Sequence, residues 1–279
     1  MAEPRNWFRG VVLVLLFAGA IPRAVTADDK PIRALLVIGG CCHDYAAQKD
    51  LLTKGISARA NVTWTISYDP DKTTSHMNPV YENPEWAAGF DVVVHDECSS
   101  DVKDLAVIER ILRPHREGLP AVVLHCGMHC YRSQGYPKEV TPWFEFTGLP
   151  STGHGPQLPI EVTLIDRGSP ILQGLDNWTT INEELYNNFI GNVLPTARVL
   201  ARGAQQVKGR DGTVNTVDSI VVWTNLYNEK TKVFATTLGH NNATVEDPRY
   251  LDLVTRGLLW SVGKLDAEHL KPAKKVLAD

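Results

Sequence analysis

The feature that most constrains the fold is an apolar run too continuous for a half-exposed strand. Ile32, Ala34, Leu35, Leu36, Val37 and Ile38 are interrupted only by Arg33 and close on Gly39-Gly40. A strand with one wet face alternates apolar and polar residues, whereas one covered on both faces does not. Residues 90–95 and 119–125 read the same way, and residues 62–68 form an alternating strand. Between them, Leu51, Leu52 and Ile56 give residues 46–60 a helical spacing. Val102, Leu105, Ala106, Ile108 and Leu112 do the same for residues 102–113. Strand–helix–strand, twice over, predicts an α/β fold: an open, mostly parallel sheet with helices on both faces. With 279 residues, 43% of them hydrophobic, the chain can bury a core of that size.

The second half is less regular. Residues 131–159 are rich in Gly, Pro and aromatic residues, too long for a plain connection, and long loops in compact domains tend to be functional. Strands are expected at 160–165, 198–201, 219–224 and 232–237, and a last helix at 249–262. Ser99 or Ser100 is the expected N-cap of the 102–113 helix. From Leu265 the tail carries Lys271, Lys274 and Lys275 and reads as loosely held. The expected organisation is a leader over residues 1–27, a domain over 31–264 and a tail over 265–279.

Arg5 and Arg9 precede a short apolar stretch, residues 10–21, and Val25-Thr26-Ala27 supplies small residues for cleavage after Ala27. That is the pattern of a signal peptide, too short to span a bilayer of about 30 Å comfortably. The expectation is export to a periplasmic or extracellular place, with no membrane anchor after cleavage. Losing Arg5, Arg9, Arg23 and Glu3 moves the formal charge from −4 to −6. An acidic chain has no footprint for nucleic acid, so the expected partner is a small molecule or a glycan. Five cysteines in an oxidising compartment leave at least one unpaired, and adjacent Cys41 and Cys42 are not expected to bridge each other.

In an open parallel sheet, ligands bind beyond the carboxyl ends of the strands. Histidines gather there. The first strand ends in His43 and Asp44, the third in His95, Asp96, Glu97 and Cys98, the fourth in His125, Cys126, His129 and Cys130, and the last in His240. His154 lies between Gly153 and Gly155 in the long loop, where it is free to swing as part of a lid. Two chemistries compete. Imidazole with thiolate suits a borderline-soft metal such as zinc, for which His43, His125 and His240 are the candidate ligands. Neutral imidazoles beside carboxylates suit general acid–base work. No C-x-x-C or H-E-x-x-H pattern decides between them, and no Gly-rich motif implies a nucleotide cofactor.

The stretch HCGMH is a strand running into a sharp turn, the layout of a nucleophile elbow. In class I glutamine amidotransferases the elbow reads Cys-x-Gly. Here His125-Cys126-Gly127 puts His125 at the nucleophile position, and an imidazole forms no thioester, so glutaminase chemistry is not expected.

Several stretches together resemble the ThuA-like (trehalose utilisation) family: VIGGCCHDY, VVLHCGMH, TGHGP, SPILQGL, NEELYNN, IVVWTNLYNEKTKVFATTLGHN and the closing LLWSVG. The resemblance covers residues 32–263. It implies a flavodoxin-like sheet related to the class I glutamine amidotransferase fold, and a link to sugar metabolism. By position, His43, His125, His154, Glu183 or Glu184, and His240 match the family's recurrent polar residues. The pattern Asp-Glu-Leu-Tyr is replaced by NEELY, so Glu184 takes the Glu position and Glu183 replaces the Asp.

His125, Glu184 and His240 are therefore the candidate catalytic residues, with Glu184 either a general base or a carboxylate that orients a histidine. His43, Asp44, His154, Tyr131 and Trp143 are candidates for substrate binding, the two aromatics as faces for a sugar ring. The expected function is an exported enzyme acting on a carbohydrate by hydrolysis, isomerisation or proton abstraction. The competing expectation is a module that binds a glycan without turning it over.

Overall fold

The computed structural model describes Met1 and residues 30–188, 193–266 and 269–271. The expected signal peptide lies outside the described residues. The elements fall in one compact unit that begins at Pro31.

Among the described residues nine strands form one sheet. In chain order the elements are β1 (Ile32–Gly40), α1 (Tyr45–Ser57), β2 (Val62–Asp69), β3 (Val92–Cys98), α2 (Leu105–Glu117), β4 (Ala121–Leu124), α3 (Pro142–Thr147), β5 (Ser151–Leu164), β6 (Trp178–Asn188), β7 (Ala197–Lys208), β8 (Val214–Tyr227), β9 (Thr231–Thr236), α4 (Asn242–Val245) and α5 (Pro248–Ser261). The sheet order is β2-β1-β3-β4-β9-β8-β7-β5-β6. The first five strands pair in parallel, in the 2-1-3-4-5 order of flavodoxin-like sheets. The other four pairings, β9 to β8, β8 to β7, β7 to β5 and β5 to β6, are antiparallel. The expectation of a mostly parallel sheet therefore holds for one half only. The connections from β7 to β8 and from β8 to β9 are too short for a crossover helix, so these strands fold back as hairpins.

The unbroken run in β1 has the predicted cause. Ala34, Leu36 and Ile38 enter one core layer with Leu52 and Ile56 of α1 and Leu253, Val254 and Leu258 of α5. Leu35 and Val37 enter the other, with Ile108, Ile111 and Leu112 of α2. At about 25 cal/mol per Å2, each such Leu, Ile or Val side chain contributes roughly 1.5–3 kcal/mol.

Several elements differ from expectation. Helix α2 starts at Leu105 because Asp104, not Ser99 or Ser100, caps it, its Oδ1 accepting from the backbone N–H of Ala106 at 2.8 Å. Strand β3 runs to Cys98, beyond residue 95. Strand β6 replaces what the sequence leaves as loop, and β5 takes in the end of the long 131–159 segment. The tail is packed at its start: Leu265 and Leu270 lie against the core, and Leu270 bridges Ala60.

The cysteines also depart from expectation. Cys41 and Cys42 are bridged to each other, and Cys98 is bridged to Cys126, leaving Cys130 as a buried free thiol. The adjacent pair forms in a tight turn in which Cys42 has left-handed backbone, φ +80°. Among the described residues no helix is long and apolar enough to cross a membrane.

Candidate functional site

Three chain segments that end parallel strands converge at one rim of the sheet. After β1, Gly39 and Gly40 adopt φ +146° and +101°. A Cβ on Gly40 would come within 2.5 Å of the Cys98 carbonyl oxygen, so only glycine lets β1 lie this close to β3 while turning to present His43. After β4, His125 itself has left-handed backbone, φ +41°, and opens a 3-10 turn over His125–His129. A Cβ on Gly127 would meet the His95 carbonyl oxygen at 2.8 Å, so the turn depends on that glycine. After β9, the segment carrying His240 is fastened from two sides. Glu183, fully buried on β6, accepts from the backbone N–H groups of His240 (3.0 Å) and Asn241 (3.1 Å). Gln48 of α1 donates to the His240 carbonyl at 3.0 Å.

The outcome is a cluster of three imidazoles. The ring centroids of His43 lie 4.7 Å from those of both His125 and His240, which are 5.5 Å from each other. One ligand nitrogen from each ring lies within 4.8 Å of the other two. His125 is oriented by its Nδ1–H, which donates to the Thr237 carbonyl at 2.6 Å. That places a proton on Nδ1 and turns Nε2 into the site, 3.1 Å from the Tyr186 hydroxyl. The Nδ1 atoms of His43 and His240 are buried without a hydrogen-bond partner.

Glu184 of β6 faces this cluster. Its Oε2 is 3.5 Å from His125 Nε2 and 3.3 Å from His240 Nδ1; its Oε1 is 3.5 Å from His154 Nε2 and 3.3 Å from the donating Gln157 amide. The His240 contact is within ion-pair distance but lacks hydrogen-bond alignment. Burial by itself would raise the Glu184 carboxyl, but His125 and His240 outweigh it and hold the group well below the ordinary carboxylate range. Beside that carboxylate His240 is raised, against the effect of burial. His43 goes the other way, down to about 2, first through burial and then through its imidazole neighbours. A carboxylate held so firmly ionised is a weak general base. Of the two roles expected for Glu184, the ion-pair distances favour a carboxylate that acts on the histidines, here through its charge.

The remaining candidates separate. His154 sits on β5, half-exposed at the rim, so it belongs to a strand and not to a free lid. Asp44 caps α1 and accepts from the Asn242 side chain at 2.8 Å, tying two segments of the rim together rather than facing the imidazoles. Tyr131 and Trp143 are fully buried in the core layer beneath α2, so neither offers a face to a sugar; Trp143 Nε1 donates to the Gly127 carbonyl and braces the elbow. His95, expected at the rim, lies inside β3. There its Nδ1 is 2.9 Å from Glu97 and its Nε2 3.1 Å from His115.

Sequence reasoning missed Tyr186 and Gln157, and it placed His129 at a strand end without giving it a role. His129 stacks on Tyr186 at 4.0 Å and contacts the Ser151 hydroxyl at 2.8 Å. The available signal was parity: Glu184 and Tyr186 are two apart on a strand and therefore share a face.

The family described as ThuA, trehalose utilisation, matches residues 33–261. Among solved structures, a ThuA-like protein from Parabacteroides merdae ATCC 43184 is similar with a TM-score of 0.59 at 19% identity, over 88% of this chain and 93% of that one. A second, from Bacteroides uniformis ATCC 8492, gives 0.60 at 15% identity, over 89% and 98%. At such identities the likeness concerns the fold. No curated protein matches the chain.

Proposed function

The chain belongs to the ThuA, trehalose utilisation, family, and on that premise we propose that it is an exported enzyme acting on a carbohydrate or sugar derivative, assisted by a zinc-class cation at His43, His125 and His240. The observation that carries the proposal is the state of the ring nitrogens. The three lie within 4.8 Å of one another, two of the rings have a buried unpartnered nitrogen, and the third is aimed by a backbone carbonyl on its far side. A backbone acceptor behind the ring is the usual support of a metal-bound histidine. Three imidazoles with an open position are a donor set that suits zinc.

Such an ion would supply Lewis acidity toward a sugar carbonyl or hydroxyl. The chain's own groups do the rest. Glu184 balances positive charge at His125 and His240. His154 and Gln157, at the exposed rim, are placed to hydrogen-bond hydroxyl groups of a polyol. Tyr186 holds His125 from below.

The test uses the full chain after removal of the leader. Zinc is titrated into chelator-treated protein by calorimetry, and trehalose and related disaccharides are screened for turnover with and without zinc. The expected result is one zinc per chain, lost in His125→Ala and His240→Ala, with turnover lost alongside. Absence of stoichiometric binding overturns the metal assignment. Zinc and sugar binding without any turnover replaces the enzyme with a carbohydrate-binding module.

A further inference from the structure

Four sulfur atoms form an unbroken string beneath the imidazoles. Cys42 is exposed, and Cys41, Cys98 and Cys126 are buried. Cys42 is bridged to Cys41, the Cys41 sulfur lies 3.4 Å from that of Cys98, and Cys98 is bridged to Cys126. The inner end abuts the site: ligand atoms of His43, Cys98 and Cys126 lie within 4.8 Å of one another. The register explains the proximity, because Gly40 pairs with Cys98 and brings the end of β1 against the end of β3.

A bridge stabilises a fold chiefly by closing a loop in the unfolded chain, and that effect grows with loop length. Cys98–Cys126 spans 28 residues and qualifies as such a staple, but Cys41–Cys42 spans one and closes almost nothing. The adjacent bridge therefore needs another purpose, and its neighbours supply one. We propose that the string is a thiol–disulfide relay, which accepts two electrons from an external dithiol at Cys42 and delivers a thiol at Cys126, beside His43.

The steps balance. One thiolate of the dithiol attacks the Cys42 sulfur, breaking the Cys41–Cys42 bond and releasing the Cys41 thiolate. That thiolate attacks the Cys98 sulfur, forming Cys41–Cys98 and expelling the Cys126 thiolate, which takes up a proton. The second thiol of the reductant displaces Cys42 from the mixed disulfide, closing the oxidised dithiol. Two bridges become one, two protein thiols appear at Cys42 and Cys126, and one dithiol is oxidised. Cys130 stays outside the exchange. It is buried, its thiol is pushed up by that burial, and it points at the Glu97 carbonyl at 3.0 Å. The relay holds whether or not a metal occupies the histidines.

The test is a thiol map of the full chain. Untreated protein, denatured in N-ethylmaleimide, is expected to be labelled at Cys130 alone. After one equivalent of dithiothreitol and a quench in the same reagent, peptide mass spectrometry is expected to find label at Cys42 and Cys126 and a Cys41–Cys98 bridge. Label at Cys41 and Cys42 with Cys98–Cys126 intact means two independent bridges and overturns the relay, as does label on all five cysteines before reduction. In Cys42→Ser, the freed Cys41 is expected to exchange with its neighbour, so that label appears at Cys126 as well as Cys130 without reductant; label at Cys41 and Cys130 with Cys98–Cys126 intact overturns the proposal. The wild-type map decides the question by itself if that variant does not fold.

Discussion

Asp96 gives the sharpest physical prediction. It pairs with Ile38 in the β1–β3 register, two residues before β3 ends, and is 5% exposed. Burial, and then the neighbouring Glu97, push its carboxyl up from 3.8 to about 8. In the fold the group is therefore protonated across a range where the unfolded chain is ionised. Folding takes up a proton there, so the contribution to stability is fully present below about pH 4 and is lost as pH rises toward about 8. The loss runs at about 1.4 kcal/mol per pH unit, or roughly 3 kcal/mol between about pH 5 and about pH 7. Asp96→Asn keeps the shape and removes the titration. Urea unfolding at both pH values should show the stability difference, variant minus wild type, growing by that amount. With a slope of about 2–3 kcal/mol per molar urea, this is a midpoint change of roughly 1 M. A difference that stays constant across the window would show that the folded carboxyl ionises normally and would refute the burial argument.

Glu184→Gln keeps the size of the side chain but removes the charge facing two of the three imidazoles; zinc affinity by calorimetry should fall about 10- to 100-fold, and an unchanged affinity would detach Glu184 from the cluster. Trp143→Ala should lower stability by about 3–5 kcal/mol in urea unfolding, as a buried core aromatic does; a wild-type midpoint with lost sugar binding would return it to the site. Gly257→Ala sets two effects against each other. Alanine gains about 1 kcal/mol of helix propensity in α5, but its Cβ would sit 2.3 Å from the Phe234 ring, an overlap costing about 1–3 kcal/mol or more. A lowered melting temperature is expected, and a raised one would show that Phe234 moves aside freely.

The parallel half of the sheet was legible because its strands are covered on both faces and so carry no polar interruptions. The antiparallel half was not. Trp178–Asn188 has only scattered buried positions until Glu183, so no strand period shows in it. Parity was the deeper obstacle. A strand-end histidine faces the rim or the sheet's flank depending on where the strand stops, and one residue changes the answer. His95 was misplaced for that reason: β3 continues to Cys98, which leaves the ring under α2 against His115. His43 and His240 escaped the ambiguity because both lie beyond their strands, which end at Gly40 and Thr236, on turns that follow glycines.

The elbow of the candidate site presents an imidazole. Left-handed backbone at a residue with a Cβ costs about 1–2 kcal/mol, and His125 bears it at φ +41°. A sharp turn of this kind lifts one side chain clear of the strand end. Were the chemistry covalent, the side chain lifted would be a thiol or hydroxyl. Cys126 stands one position too late, buried and bridged to Cys98. The lifted group is instead a ring whose Nδ1 is engaged by the Thr237 carbonyl on the neighbouring strand's end, leaving Nε2 for the cluster. Both nitrogens thus have assigned directions, set by β4 on one side and β9 on the other. Such a fixed orientation serves a ligand or an orienting partner better than a nucleophile that must move during reaction, and it makes the register of β9 against β4, not the identity of the turn alone, the determinant of the site.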